Sequence, residues 1–250
     1  MKKPKLIRTA TVSLSLDILI KGQLHYLSKH YQVIAISGND TTLQKVASRE
    51  QVQVIPIAMQ RQIAPFKDVI SLWKLYKCFK KEKPQIVHSI TPKAGLLSMV
   101  AAYFANVPIR IHTFTGLIFP SKTGFLQRLL ILMDKLLCKF ATHIYPEGTG
   151  VKNDLIAYNI TSKPLKVLAN GNINGIDTSY FNPQLFTNTQ NEALKQQLGI
   201  ATNDVVFIFV GRLVADKGIN ELVAAFSQLP ITNYELPNTK SKDYQPTANS

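Results

Sequence analysis

The sequence predicts an α/β protein: a mostly parallel sheet with helices on both faces, followed by the beginning of a second unit of the same kind. Two observations carry this. Short β-branched runs alternate with helical stretches from Leu6 to Ala169, and such alternation implies right-handed βαβ units and a parallel sheet. After a stretch rich in Asn, Gly and Thr, the alternation restarts with one apolar run and one helix.

The elements follow in order. Leu6–Val12 reads as a strand, Asp17–Lys29 as a helix and Gln32–Ser37 as a second strand closed by the turn Ser37-Gly38-Asn39-Asp40. Thr41–Glu50 is a short helix and Val52–Ile57 a strand. Ile70, Trp73, Leu75, Tyr76 and Phe79 give Val69–Lys81 a helical spacing that Pro84 terminates. Gln85–Ile90 and Ile109–Phe114 are strands that flank a helix over Lys93–Ala105. Helix Phe125–Phe140, strand His143–Tyr145, helix Val151–Tyr158 and strand Leu165–Ala169 complete a domain over residues 1–170. Residues 171–190 read as a linker. Residues 191–229 hold a helix at Glu192–Leu198, an apolar strand at Val205–Val210 and a helix at Gly218–Gln228. One strand and one helix cannot bury their own apolar faces, so this is the start of a domain. Residues 230–250 are polar and aperiodic and read as a disordered tail or insertion.

Composition narrows the function classes. Lys and Arg number 29 against 15 acidic residues, a net charge of +14, so the surface attracts anions: nucleic acid, anionic lipid or phosphorylated ligands. No nucleic-acid motif accompanies the charge, so a nucleic-acid partner is not expected. Cys78 and Cys138 lie in apolar-basic helical stretches without metal-like partners, which predicts reduced thiols rather than a disulfide or a metal site. The basic start Met1–Lys5 leads into a run broken by Arg8 and Asp17, and reads as a first strand and helix rather than a targeting segment. The longest apolar helix carries Arg128, Asp134, Lys135 and Lys139, too much charge to span a bilayer. Lys74, Lys77, Lys80, Lys81 and Lys83 surround Trp73, Tyr76 and Phe79 in a basic-aromatic pattern. That pattern suits either an anionic membrane surface or a core stripe with a solvated basic face.

Open parallel sheets bind ligands beyond the carboxyl ends of their strands. The candidate residues are therefore those at strand ends. Gly211 and Arg212 end the apolar run, and Asp216, Lys217 and Gly218 open a helix, which suits either a diphosphate or a plain strand–turn–helix with solvated charges. His88, Thr91, Lys93 and Gly95 surround Pro92 at a helix start and offer either a hydroxyl or anion site, or ordinary capping. His112 near the end of its strand is either a base or donor, or a structural histidine. Alternation sets His112 and Phe114 on one face and Thr113 and Thr115 on the other. Glu147, in a glycine-flanked loop, either meets substrate or favours the following helix start. Asn172, within Asn170–Asp177, belongs to a hinge or a tight loop.

Taken in order, Thr91–Gly95, Ile109–Gly116, Gly171–Asp177 and Gly211-Arg212…Asp216-Lys217-Gly218 resemble family-4 glycosyltransferases, above all the bacterial enzymes of capsule, exopolysaccharide, O-antigen or undecaprenyl diphosphate-linked glycan assembly. The resemblance covers residues 5–229 and implies a GT-B fold: two Rossmann-like domains, of which the second is truncated here. It implies a retaining enzyme that takes a sugar from a nucleotide-sugar, commonly UDP-linked, to a lipid-linked or glycan acceptor, with no cofactor and no bound metal. Gly211, Arg212, Lys217 and Gly218 match donor diphosphate positions. Ser13, Ser15, His88, Thr91, Lys93, Gly95 and Gly116 fall in or beside acceptor-side segments, with Glu147 and Asn172 elsewhere in the cleft.

The chain departs from the family pattern in three places. The loop after the first strand is Ser13-Leu14-Ser15-Leu16, where relatives often carry glycines. Many relatives place a histidine directly before the glycine that matches Gly116; here that place holds Thr115 and the histidine is His112, so neither catalytic candidate, His112 or Thr115, matches the family pattern. The Glu-x7-Glu region expected of the second domain does not occur before Ser250, and the chain by itself is expected to transfer no sugar. The resemblance places the protein in the cytoplasm, peripheral on the inner face of the membrane. The competing reading is a non-catalytic Rossmann-like module that binds an anionic lipid or a nucleotide.

Overall fold

In the computed structural model, residues 3–201, 203–214 and 217–229 are described. The chain divides into two units, Met1–Pro183 and Gln184–Ser250. The first is built on a six-stranded sheet in the order β3-β2-β1-β4-β5-β6. The strands are β1 (Lys5–Thr9), β2 (Gln32–Ser37), β3 (Gln53–Pro56), β4 (Ile86–Ser89), β5 (Ile109–Phe114) and β6 (His143–Pro146). Every ladder is parallel, with Arg8 beside His88 and Ser89 beside His112. The order reverses between β1 and β4, and the crevice at such a switch point is where doubly wound sheets bind ligands.

Strand alternation sends successive side chains to two cores. Ile7, Ile34, Ile36, Val87 and Phe114 pack with α4 (Pro65–Glu82), α5 (Pro92–Phe104) and α6 (Gly124–Phe140). Leu6, Val33, Ala35 and Ile90 pack with α1 (Ser13–Leu19), α2 (Gln23–Ser28) and α3 (Thr41–Glu50). Helix α7 (Thr149–Ala157) follows β6 and adds Leu155 to the first core. Cys138 is buried and Cys78 half-buried, both as free thiols that burial pushes up, to about 12 and about 11.

Three sequence expectations are corrected. The single helix predicted over Asp17–Lys29 is two, because Gly22 adopts φ 81°, a left-handed turn that breaks the ladder between α1 and α2. The strand predicted at Leu165–Ala169 is one bridge, Ile144 to Leu165, and the run ends in a turn where the Gly171 amide donates to the Leu168 carbonyl (2.9 Å) and Ala169 is left-handed (φ 48°). The apolar run Val205–Val210 forms no ladder among the described residues and lies exposed, with Ile208 at 85% and Val210 at 86%. An apolar run specifies burial, not a particular partner strand.

The second unit contains α8 (Asn188–Gln197) and α9 (Ile219–Ser227). Helix α8 starts with a capping box between Thr187 and Gln190, worth about 1 kcal/mol to a helix of this length. The tail or insertion expected over residues 230–250 lies outside the described residues.

Candidate functional site

At the carboxyl ends of β1, β4 and β5 lies a cavity of about 410 Å3. Thr11 and Val12 line it from the turn after β1, Ser15 from α1, which forms where the sequence suggests a loop, Thr91, Pro92, Lys93 and Leu96 from the start of α5, and Thr115, Gly116 and Ile118 from the turn after β5. Arg61 and Ile63 enter from the β3–α4 loop, and Leu130, Met133 and Asp134 from α6. Its walls are mainly apolar, with a few polar groups converging, as in sites for amphipathic ligands.

The polar floor is built by two threonines. The Thr11 amide donates to Thr91 Oγ1 (2.8 Å), and the two hydroxyls share a further bond (2.7 Å). The Ala94 amide in the first turn of α5 donates to Thr11 Oγ1 (3.2 Å). Thr91 occupies the N-cap position, yet its own side chain makes no cap; Thr11 supplies it from the β1 turn. Thr115 donates to the Ile90 carbonyl (3.0 Å), which pins the end of β5 to β4.

Lys93 has a different task from the one its position predicts. Its Nζ donates to both carboxylate oxygens of Asp68 (2.9 and 2.8 Å) and to the Gln62 carbonyl. With Lys93 8% exposed and its charge met by Asp68, its part is to anchor the 61–64 loop and the first turn of α4 to α5. That leaves Arg61, carried on the anchored loop, as a cation on the cavity wall with no ion pair among the described residues.

The structure brings Ser15, Thr91, Lys93, Thr115 and Gly116 together and draws four other candidates into the fold. Ser13 is buried and donates to the carboxylate of Asp40, the N-cap of α3. His88 lies in the sheet, with Nδ1 against Arg8 (2.6 Å) and Nε2 against Thr113 (2.8 Å); burial, then the neighbouring Arg8 charge, hold it well below the usual histidine range. His112 is 1% exposed, its Nδ1 meets Ser89 Oγ (2.8 Å), and burial pushes it down to about 3. Sealed under α5 as a neutral imidazole, His112 does not line the cavity, which accords with the structural one of its two readings. Gly95 is the residue that lets α5 lie on that imidazole.

Glu147 and Asn172 meet through their backbones: the Asn172 amide donates to the Glu147 carbonyl (2.6 Å). The Glu147 carboxyl, raised by burial, does not line the cavity. Asn172, at φ 69°, accepts the Ile173 amide on its own side chain (2.6 Å), which makes it a turn residue. Asn174 then ties the loop to Lys21 (3.0 Å) and Gln23 (2.8 Å).

In the second unit, Gly211, Arg212 and Lys217 are exposed and Gly218, at φ 69°, caps α9; Asp216 lies outside the described residues. Sequence reasoning passed over Thr11, Arg61 and Asp134. Thr11 stood at the end of an apparent strand, Arg61 in a loop without a motif, and Asp134 among the charges of an amphipathic helix.

A switch-point cavity on a parallel sheet defines a ligand-binding α/β domain, and comparison with known proteins gives its family. Residues 12–147 match the glycosyl transferase 4-like family, and the chain belongs to it. It is 37% identical over 237 residues to the capsular polysaccharide biosynthesis glycosyltransferase CapM of Staphylococcus aureus, a match covering 94% of this chain and 60% of that protein. It is 33% identical over 160 residues to the Escherichia coli UDP-Gal:alpha-D-GlcNAc-diphosphoundecaprenol alpha-1,3-galactosyltransferase, covering 63% of this chain and 39% of that one. The crystal structure of Anabaena HepE with UDP superposes with a TM-score of 0.65 at 16% identity, over 92% of this chain and 58% of that one. At that identity the likeness is one of fold, and the fold is GT-B. The chain thus spans about 60% of the length of the first of these relatives and less of the second.

Proposed function

We propose that this chain supplies the acceptor side of a retaining glycosyltransferase, which moves a hexose or N-acetylhexosamine-type sugar from a UDP-linked donor to a lipid-linked or polysaccharide acceptor in bacterial surface glycan synthesis. The observation that carries this is the cavity at the β1/β4 switch point, where apolar walls surround the hydroxyls of Thr11, Ser15, Thr91 and Thr115 and the Arg61 cation. The names of the relatives, a capsule glycosyltransferase and a galactosyltransferase acting on an undecaprenyl diphosphate-linked sugar, support the class of acceptor.

In such a transfer an acceptor hydroxyl oxygen bonds to the anomeric carbon on the face that the diphosphate leaves. The hydroxyl proton passes to the departing phosphate oxygen. Negative charge grows on the diphosphate, and Arg212 and Lys217 are the cations to stabilise it. Two such cations do the work a metal would otherwise do, so no metal or other cofactor is invoked.

The reading includes a membrane surface. Phe66, Val69, Ile70 and Trp73 recur at helical spacing on α4 and are 89, 65, 53 and 55% exposed, while Ser71, Leu75 and Phe79 bury the opposite stripe. Lys77 sits over the Trp73 ring at 3.6 Å. An exposed apolar stripe edged with lysines suits insertion among anionic head groups. Among the described residues no helix is long and apolar enough to cross a membrane. The exposed stripe and its lysines support a peripheral place for the enzyme on the cytoplasmic face of the membrane.

The test is ligand titration followed by transfer. A short polyprenyl diphosphate-linked sugar should perturb the NMR methyl signals of Ile63, Ile118, Leu130 and Met133 and leave α8 and α9 unchanged. With the protein expressed from its complete reading frame, radiolabel from a UDP-sugar should appear in the lipid, with the anomeric configuration kept. Binding without transfer would instead support the non-catalytic module, and absence of both would end the proposal.

A further inference from the structure

Asp134 stands out among the ionisable side chains around the cavity. It lies on the stripe of α6 that runs from Leu130 and Met133 to the buried Leu137 and Cys138. Amphipathic spacing favours an apolar residue at such a place. No hydrogen bond or ion pair holds its carboxyl among the described residues, and it lines the cavity. Burial pushes its pKa up to about 7. The carboxyl opens onto the cavity with no protein group filling its acceptor sites, so a ligand seated there can complete them.

Arg61 faces the same cavity from a loop that the Lys93–Asp68 ion pair holds in place. The two groups together exclude simpler ligands. A bare phosphate gains nothing from a nearby carboxyl, and a bare lipid needs neither charge. A sugar attached to phosphate on an apolar chain uses all three features: cation, hydroxyl acceptor and apolar wall.

Building on the acceptor-side reading above, we propose that Asp134 is a specificity-determining residue that accepts a hydroxyl of the acceptor's sugar while Arg61 holds its phosphate. Selectivity then lies in the carboxyl: a polyprenyl diphosphate lacking the sugar engages Arg61 and the walls but leaves Asp134 unfilled.

The experiment compares two probes on the chain by calorimetric titration: farnesyl diphosphate, and the same lipid bearing N-acetylglucosamine on its terminal phosphate. Asp134→Leu should weaken the sugar-bearing ligand roughly tenfold and leave farnesyl diphosphate within twofold, the size of one charge-assisted hydrogen bond. Arg61→Gln should weaken both ligands to a similar degree. Asp134→Ala, which also removes the acceptor oxygens, carries the same comparison if the leucine variant fails to fold. Equal loss of both ligands in the Asp134 variants, or no loss of either, overturns this assignment and leaves the acceptor site standing. Failure of the unsubstituted chain to bind either ligand overturns the acceptor reading as well.

Discussion

A Cβ at Gly95 would lie 2.5 Å from Cε1 and 2.7 Å from Nδ1 of His112, and 2.6 Å from Cδ1 of Leu137. Helix α5 therefore rests directly on the imidazole, which in turn meets Phe114 edge-on at 4.5 Å. The first turn of this helix forms the cavity floor, so the contact sets the height of Thr91 and Pro92 above the sheet. Gly95→Ala must push α5 outward or rotate the imidazole, at about 1–3 kcal/mol by the usual cost of over-packing. Urea denaturation should show the loss. Gly95→Ala in a His112→Ala background should recover part of it, and additive effects would mean that the contact is not what excludes a side chain at 95.

The same imidazole predicts how the fold answers to acid. His112 titrates near 3 in the fold and near 6.5 when unfolded, and His88 is likewise depressed. A depressed base contributes stability that is present above 6.5 and lost as pH falls, because the unfolded chain takes up the proton first. Each such group steepens the loss by about 1.4 kcal/mol per pH unit below 6.5. Stability measured from pH 7 to 4.5 should therefore fall less steeply in His112→Gln than in the parent. Parallel curves would show that His112 protonates freely in the fold.

These residues also show where sequence reading stops. The βαβ alternation fixes the strands almost to the residue at Gln32–Ser37 and Ile109–Phe114, because apolar β-branched runs and turn residues act locally. Alternation also sets His112 and Phe114 on one face, and the packing of the helices is what makes that face the buried one. What the sequence cannot give is the pairing of charges far apart along the chain. Lys93 lies 25 residues from Asp68, and only the packing of α4 on α5 reveals that they neutralise one another. Arg61 stands in the cavity for the same reason, which no local pattern announces.

Breaking that pair should loosen the loop that holds Arg61. Lys93 and Asp68 side chains are 8% and 19% exposed, so removing one partner strands the other in a poorly solvated place. Lys93→Met or Asp68→Ala should each cost about 2 kcal/mol, and the double variant less than their sum. Proteolysis within 58–64 should accelerate in both single variants. Strict additivity would show that the two charges act independently.

The exposed stripe on α4 gives a measurable membrane prediction. Phe66 and Trp73 each offer a large apolar surface, and removing both should weaken partitioning onto phosphatidylglycerol vesicles at least tenfold, from about 1.5 kcal/mol or more per buried side chain. Binding by the parent should also weaken with salt, since lysines beside the stripe contribute. A Phe66→Ser/Trp73→Ser protein that sediments with vesicles as the parent does would remove α4 from the membrane contact.

Asp134 provides the opposite pH signature to the histidines. Its carboxyl titrates near 7 in the fold against 3.8 as its ordinary value. A raised acid contributes stability that is fully present below the unfolded value and lost as pH rises through the folded one, because the fold retains the proton that the unfolded chain releases. From pH 4 to 7 this group alone makes the protein less stable, and above 7 the ionised carboxyl sits in a place that disfavours it. Asp134→Asn keeps the size and removes the charge, so it should raise stability at pH 8 by about 2 kcal/mol, a figure reduced from the full shift to allow for local solvation. At pH 4.5 the gain should nearly vanish. A sugar-phosphate ligand that fills the carboxyl should narrow the difference at pH 8, since the bound hydroxyl then hydrogen-bonds the ionised carboxyl. Equal stability of Asp134→Asn and the parent across the whole range would mean that the carboxyl is solvated in the fold, and its place on the cavity wall would have to be redrawn.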